Sequence, residues 1–319
     1  MSIDALRRRI SRFIGLVPPS ARPTPQVIER DEREGSTRSR IRFSAPDGDE
    51  VEAFLFEPMG TVSTGGVLVL HQHNSQWTIG KSEVAGLVGD PMQAFGPALA
   101  RRGMTVLCPD TIGFESRLGA ADCDTSVAPV LTKPGSSPDA WLQYYNEMAH
   151  RLVYGDLLIR KMLTDSAAGV SLLQNVTPAG TPIGVVGHSM GGGLSLFLGA
   201  LDTRVAFTCT SGAVCSYRYK RAHGIGLEMT LVIPAFATHF DVADLLRCIA
   251  PRTVFVVSAD EDPYSSDAIE VVEEARGAFQ SSHASEHLIH LHVPGRHSLD
   301  RRRFDAIVDW AVLQGRGAS

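Results

Sequence analysis

Apolar positions recur along this chain in two alternating patterns. Short runs rich in β-branched residues, at 67–70, 105–107, 183–186, 205–210, 253–257 and 288–293, read as strands, the 183–186 run as one covered on both faces. Between them lie stretches with helical spacing at 91–102, 148–174, 241–248, 267–280 and 300–313. The helix over 148–174 is expected to pack Leu152, Leu157, Leu158, Met162 and Leu163 on a sheet. Strand, helix, strand is the crossover unit of a parallel sheet. Ahead of it, 38–45 and 50–57 read as an antiparallel pair around the turn Pro46-Asp47-Gly48-Asp49. Together these patterns predict an α/β fold with a mostly parallel, eight-stranded sheet and helices on both faces.

The chain divides into an N-terminal helix and arm, 1–36, and one α/β domain, 37–319. Residues 2–16 carry Ile3, Leu6, Ile10, Phe13 and Ile14 on one helical face, which is expected to pack on the body of the protein or on a second subunit rather than on a membrane. Residues 17–36, rich in proline and charge, read as a connecting arm. Two stretches interrupt the rhythm, 111–147 and 213–240. The first is expected near the carboxyl ends of the strands, where open α/β sheets keep their sites, as a wall of the acyl or alcohol pocket or else as a surface excursion, and the second as the other wall of the pocket.

Candidate chemistry centres on 183–201, IGVVGHSMGGGLSLFLGAL. A strand runs into a tight turn and a small-residue helix, with Ser189 at the apex. Gly187 and Gly191 stand two residues before and after it, giving the G-x-S-x-G nucleophile elbow. The turn forces the serine into a strained conformation, and side chains at the flanking positions would collide. The hydroxyl then sits at a helix N-terminus, where free N–H groups favour developing negative charge. A serine hydroxyl is a weak nucleophile at neutral pH. It needs a base, and the base needs an orienting carboxylate.

The elbow and its flanks resemble the α/β-hydrolase superfamily, from about Ile41 to Leu313. The stretches LHQHNSQWTIGKSEVAGLVGDP and RRGMTVLCPDTIGFESR look like the dienelactone-hydrolase and acetyl-xylan-esterase-like serine esterases. The resemblance implies the chain order nucleophile, acid, histidine. It assigns the base to His297, just past the last strand and Gly295. It assigns the acid to Asp262 in Ser258-Ala259-Asp260-Glu261-Asp262-Pro263, with Asp260 as the alternative. The oxyanion donors it implies are the backbone N–H of Met190 and that of His73, with Gln72 as the alternative. His188 is read as structural, and His287, His290 and His292 as solvated or packed side chains. Glu115 and Arg117 are expected to pair across a turn. Dienelactone hydrolases normally use cysteine at the elbow and dehalogenases aspartate, so Ser189 points to a serine carboxylesterase route. The same triad acting on a C–C, amide or thioester bond remains open. A non-catalytic binding protein on this fold is disfavoured because Ser189, Asp262 and His297 are all present.

Composition changes this picture little. The 319 residues carry a net charge of −5, with 44% hydrophobic and 20% charged residues. This is an ordinary globular composition with no reason to expect nucleic acid or a membrane as partner. A small-molecule ester is the expected partner, and a homodimer is left open. The five cysteines, Cys108, Cys123, Cys209, Cys215 and Cys248, form no C-x-x-C pair, so neither a disulfide framework nor a metal site is suggested. No organic cofactor is implied. Arginine greatly outnumbers lysine, of which only Lys81, Lys133, Lys161 and Lys220 occur, a bias read as one of coding. The N-terminal apolar residues are too few before Pro18-Pro19 for a signal peptide, so a cytoplasmic location is expected.

Overall fold

A computed structural model describes residues 1–17, 22–119 and 138–317. Nine strands form one sheet: β1 (Gln26–Arg33), β2 (Ser36–Ser44), β3 (Glu50–Pro58), β4 (Gly66–Leu70), β5 (Thr105–Pro109), β6 (Ile183–His188), β7 (Val205–Ser211), β8 (Thr253–Ala259) and β9 (Leu288–Val293). Their order is β1-β2-β3-β5-β4-β6-β7-β8-β9. The first three are antiparallel to their neighbours, and β4 to β9 run parallel. The helices are α1 (Ile3–Ile14), α2 (Lys81–Val84), α3 (Phe95–Ala100), α4 (Pro138–Val153), α5 (Leu158–Val176), α6 (Met190–Leu201), α7 (Tyr217–His223), α8 (Val242–Ile249), α9 (Ala268–Ser281) and α10 (Arg301–Gly315).

The sheet separates two apolar cores, and strand alternation feeds both. In β4, Leu68 and Leu70 enter the core with α5, α6, α8 and α9, while Val67 and Val69 enter the core with α3 and α10. The amphipathic helix α1 lays Leu6, Ile10 and Ile14 into the first of these cores, against α6 and α8. Among the described residues, no helix is long and apolar enough to cross a membrane.

Two expectations need correction. The sheet has nine strands, not eight, because β1 forms inside the stretch read as a connecting arm. Its sequence, QVIERDER, is exposed at nearly every position and shows no apolar alternation to read. Cross-strand charge holds it instead: Arg38 donates to both Asp31 oxygens at 3.1 and 2.8 Å. The helix read over 148–174 is two helices, broken at 154–157. Gly155 takes φ +75 there, a left-handed conformation that ends α4, and Asp156 turns its carboxylate to the Leu157 N–H. Of the 111–147 interruption, residues 120–137 lie outside the described residues, and Cys123, Pro129 and Pro134 with them.

Candidate active site

The elbow forms as its glycines require. A Cβ on Gly187 would lie 2.2 Å from the Gly191 carbonyl oxygen, and one on Gly191 would lie 2.0 Å from that of Leu70. Only hydrogen fits at either position, so α6 starts against the ends of β4 and β6. Ser189, between them, has φ 57 and ψ −123, a strained conformation for a residue with a side chain. The β7 carbonyl of Ser211 accepts its N–H at 2.8 Å.

Three loops at the carboxyl end of the sheet bring the other side chains to it. His297, in the loop after β9, places Nε2 2.8 Å from Ser189 Oγ and Nδ1 2.9 Å from Asp262 Oδ1. Asp262 follows β8 and is 1% exposed. Burial alone would raise its pKa, but hydrogen bonds from His297, Ser265 Oγ and the Tyr264 N–H outweigh that and hold it below the usual carboxylate range. Asp260 is exposed, and its Oδ1 accepts the Gly295 N–H at 2.9 Å. It fastens the histidine loop from outside and does not meet the imidazole. The tight turn Asp262-Pro263 decides between two carboxylates only two residues apart.

This geometry yields a direct contrast. Asp262→Asn is expected to lower kcat on the order of 10³–10⁴-fold, because an amide no longer holds the imidazole tautomer or stabilises its cation. Asp260→Asn should change kcat by less than about tenfold, since it touches the loop alone. Steady-state rates of the two variants on one activated ester check this.

Gln72, His73, Met190, Ser189 and His297 line one cavity of about 300 Å³. Met190 opens α6, so its backbone N–H is among those without a helical partner. The Gln72 side chain turns away, donating to Glu83 at 3.2 Å, whereas the His73 ring lies parallel to Trp77 at 6.2 Å and accepts the Ser75 N–H. His71 does not reach the cavity. It is fully buried, with Nδ1 against the Gln72 carbonyl at 2.8 Å and Nε2 accepting the Thr111 N–H at 3.2 Å, and burial pushes its pKa down. It is a brace for the loop after β4. His188 packs behind His297 at 4.9 Å between ring centroids, its pKa pushed by burial to about 3, so it stays neutral.

The far wall comes from the 213–240 interruption: Ala213, Lys220, Gly226, Leu227, Glu228, Thr230 and Leu231 contribute, with Leu231 facing Gly193. Among the described residues of 111–147, none lines the cavity. Tyr144 stands behind it, donating to Glu228 at 2.7 Å and lying 3.6 Å from Met190 Sδ. Glu115 and Arg117 do not pair with each other. Glu115 accepts from Lys81 at 2.7 Å, and Arg117 donates to Asp165 at 2.6 Å. Lys81 also meets Asp110 at 2.6 Å and is buried with it. The sequence reading missed Lys81, Tyr144, Lys220 and Glu228. The rarity of lysine was the available signal, since all three described lysines are buried.

A nine-stranded, mostly parallel sheet with a serine elbow after β6, a carboxylate after β8 and a histidine after β9 is a known arrangement. The fold is that of the α/β hydrolases. Solved structures share this fold. A Bacteroides fragilis protein assigned as an acetyl xylan esterase superposes with a TM-score of 0.71 at 15% identity, over 96% of this chain and 81% of that one. A glucuronoyl esterase from Solibacter usitatus gives a TM-score of 0.65 at 14% identity, over 98% and 92%. In sequence, the chain is 24% identical to YtaP of Bacillus subtilis (strain 168), a hydrolase by name, over 77% of each chain. No protein-family model matches the chain.

Proposed function

We propose that this protein is a serine esterase that cleaves carboxylic esters through an acyl-enzyme. The observation that carries the reading is the unbroken relay from Asp262 through His297 to a strained, cavity-facing Ser189, with spacings of 2.9 and 2.8 Å. His297 Nε2 takes the Ser189 proton as Oγ attacks the ester carbonyl carbon. The carbonyl electron pair moves onto oxygen, where the N–H groups of Met190 and His73 (or Gln72) stabilise it. Asp262 holds the imidazole in the accepting tautomer and stabilises the cation that forms. The C–O bond to the alcohol then breaks, and the alcohol leaves with the proton from His297. Water gives a proton to His297 and attacks the acyl-serine, and Ser189 recovers its hydrogen as the acid departs.

A cavity of about 300 Å³ is at the small end for ligand pockets. 4-Nitrophenyl acetate and butyrate are therefore expected to be better substrates than the octanoate. A fluorophosphonate should label Ser189 and nothing else. Folded protein that neither takes the label nor turns over any of the three esters would end this reading.

A further inference from the structure

The three described lysines are all buried, and two of them have obvious reasons to be. Lys81 meets Asp110 and Glu115 at 2.6 and 2.7 Å. Lys161 meets Asp47, Asp49 and Asp165. Lys220 differs. It is 4% exposed and lines the same cavity as Ser189 and His297, yet among the described residues its ammonium has no carboxylate within salt-bridge distance. The face of Tyr217 lies 5.9 Å away. Burial lowers its pKa, as it must for a cation without a bonded partner.

The surrounding acids are already engaged. Asp267 accepts from the Ser216 N–H and hydroxyl. Asp241 accepts from the N–H groups of Tyr217 and Val242. Glu228 accepts from Tyr144 on one oxygen and from the Thr230 N–H and hydroxyl on the other. Cys215, buried nearby, has its thiol pKa pushed up to about 12 and stays neutral. These acids supply a negative field that helps to keep the lysine charged, but none completes it. A buried ammonium is costly unless hydrogen-bonded and paired, so its donors are left for what enters the cavity.

We propose that Lys220 is the specificity-determining residue of this site and that the substrate is an anionic ester, with a carboxylate on one side of the scissile bond bound by the Lys220 ammonium. This rests on the esterase reading above. A monoester of a short dicarboxylic acid has the required chemistry: one end presents the ester carbonyl to Ser189, and the other presents a carboxylate to Lys220. Glu228 on the same wall adds discrimination, since it would repel an anion placed away from the lysine.

The test compares monomethyl esters of succinate, glutarate and adipate with the corresponding neutral dimethyl esters at low salt. In wild type, kcat/KM should favour the monoanion by about tenfold or more for the chain length that spans Ser189 to Lys220. Lys220→Met should reduce that ratio by about tenfold or more, mainly through KM for the monoanion, because the contact is made equally in ground and transition states. Thermal melting and the rate of fluorophosphonate labelling check that the variant is folded. A wild-type ratio near one at every chain length, or a Lys220→Met variant in which both ester classes fall in parallel, would overturn the proposal. Calorimetric titration of Ser189→Ala with monomethyl and dimethyl glutarate, with and without Lys220→Met, reads the anion site without turnover. Tighter, Lys220-dependent binding of the monoanion in a protein whose Ser189 proves unreactive would sustain the anion site and end the esterase reading. Equal binding of both esters would end the anion site alone.

Discussion

Ser189→Ala is expected to reduce kcat/KM for 4-nitrophenyl acetate on the order of 10⁴-fold or more, with the melting temperature unchanged or raised. The loss is large because the members of such a relay act as one unit. Without Oγ there is no acyl-enzyme, and His297 and Asp262 have nothing to activate except water that is not positioned for attack. What remains is stabilisation by the oxyanion donors and substrate binding. Stability should not fall, since alanine keeps the same Cβ in the same backbone conformation and the Ser189 side chain bonds to His297 alone among the described residues. Burst kinetics, with stopped-flow detection of 4-nitrophenolate, separates the steps. Wild type should show a rapid acylation phase where hydrolysis of the acyl-enzyme is slower, and the variant none. A variant that retains more than about one hundredth of wild-type kcat/KM would place the nucleophile elsewhere.

Lys81→Met should destabilise the protein by about 3–5 kcal/mol, the largest effect expected from a residue outside the cavity. Lys81 is nearly inaccessible, and its ammonium binds Asp110 and Glu115. Asp110, also buried, takes the Lys81 N–H at 2.7 Å and the Ser116 hydroxyl at 2.5 Å on its remaining lone pairs. Burial and the neighbouring Glu115 push the Asp110 pKa up, so the lysine is what keeps this carboxylate charged. Removing the cation leaves an acid that must protonate or stay charged without its partner. With an unfolding entropy of about 0.7 kcal/mol/K for a chain of this length, the melting temperature should fall by about 4–8 °C. The double variant Lys81→Met/Asp110→Asn should recover part of that loss, because no unpaired charge is left between them. Differential scanning calorimetry of the two variants checks both statements. The cluster matters to the site because it fastens the segment after β4. Glu115 accepts the N–H groups of Gly80 and Ser82, and His71 grips Thr111, so Gln72 and His73 leave the sheet from a fixed base.

The linear sequence determined the parts of this protein that depend on local backbone sterics and short-range patterning. The apolar runs placed six parallel strands to within a few residues; five of them, β4 to β8, are buried on both faces almost throughout and can tolerate little else. Gly187 and Gly191 identified the elbow, because no side chain fits against the Leu70 and Gly191 carbonyls. The amphipathic spacing of α1 predicted a buried face, on the body or on a second subunit, and the fold places it on the body. The strand β1 escaped because its stability comes from cross-strand charge pairs, which leave no apolar period to read. The break at Gly155 escaped because helical spacing continues on both sides of it. Only tertiary structure could separate Asp262 from Asp260. Both are carboxylates on one loop, and the fold turns one towards His297 and the other out to Gly295. It also decided the partners of Glu115 and Arg117, which lie 34 residues from Lys81 and 48 from Asp165 in the chain. Lys220 is the clearest case. In the sequence it is one of four lysines in an arginine-rich chain. Burial beside Ser189, and carboxylates already committed to other donors, make it a charge that waits for a ligand. Those are properties of three-dimensional neighbours, which no local pattern encodes.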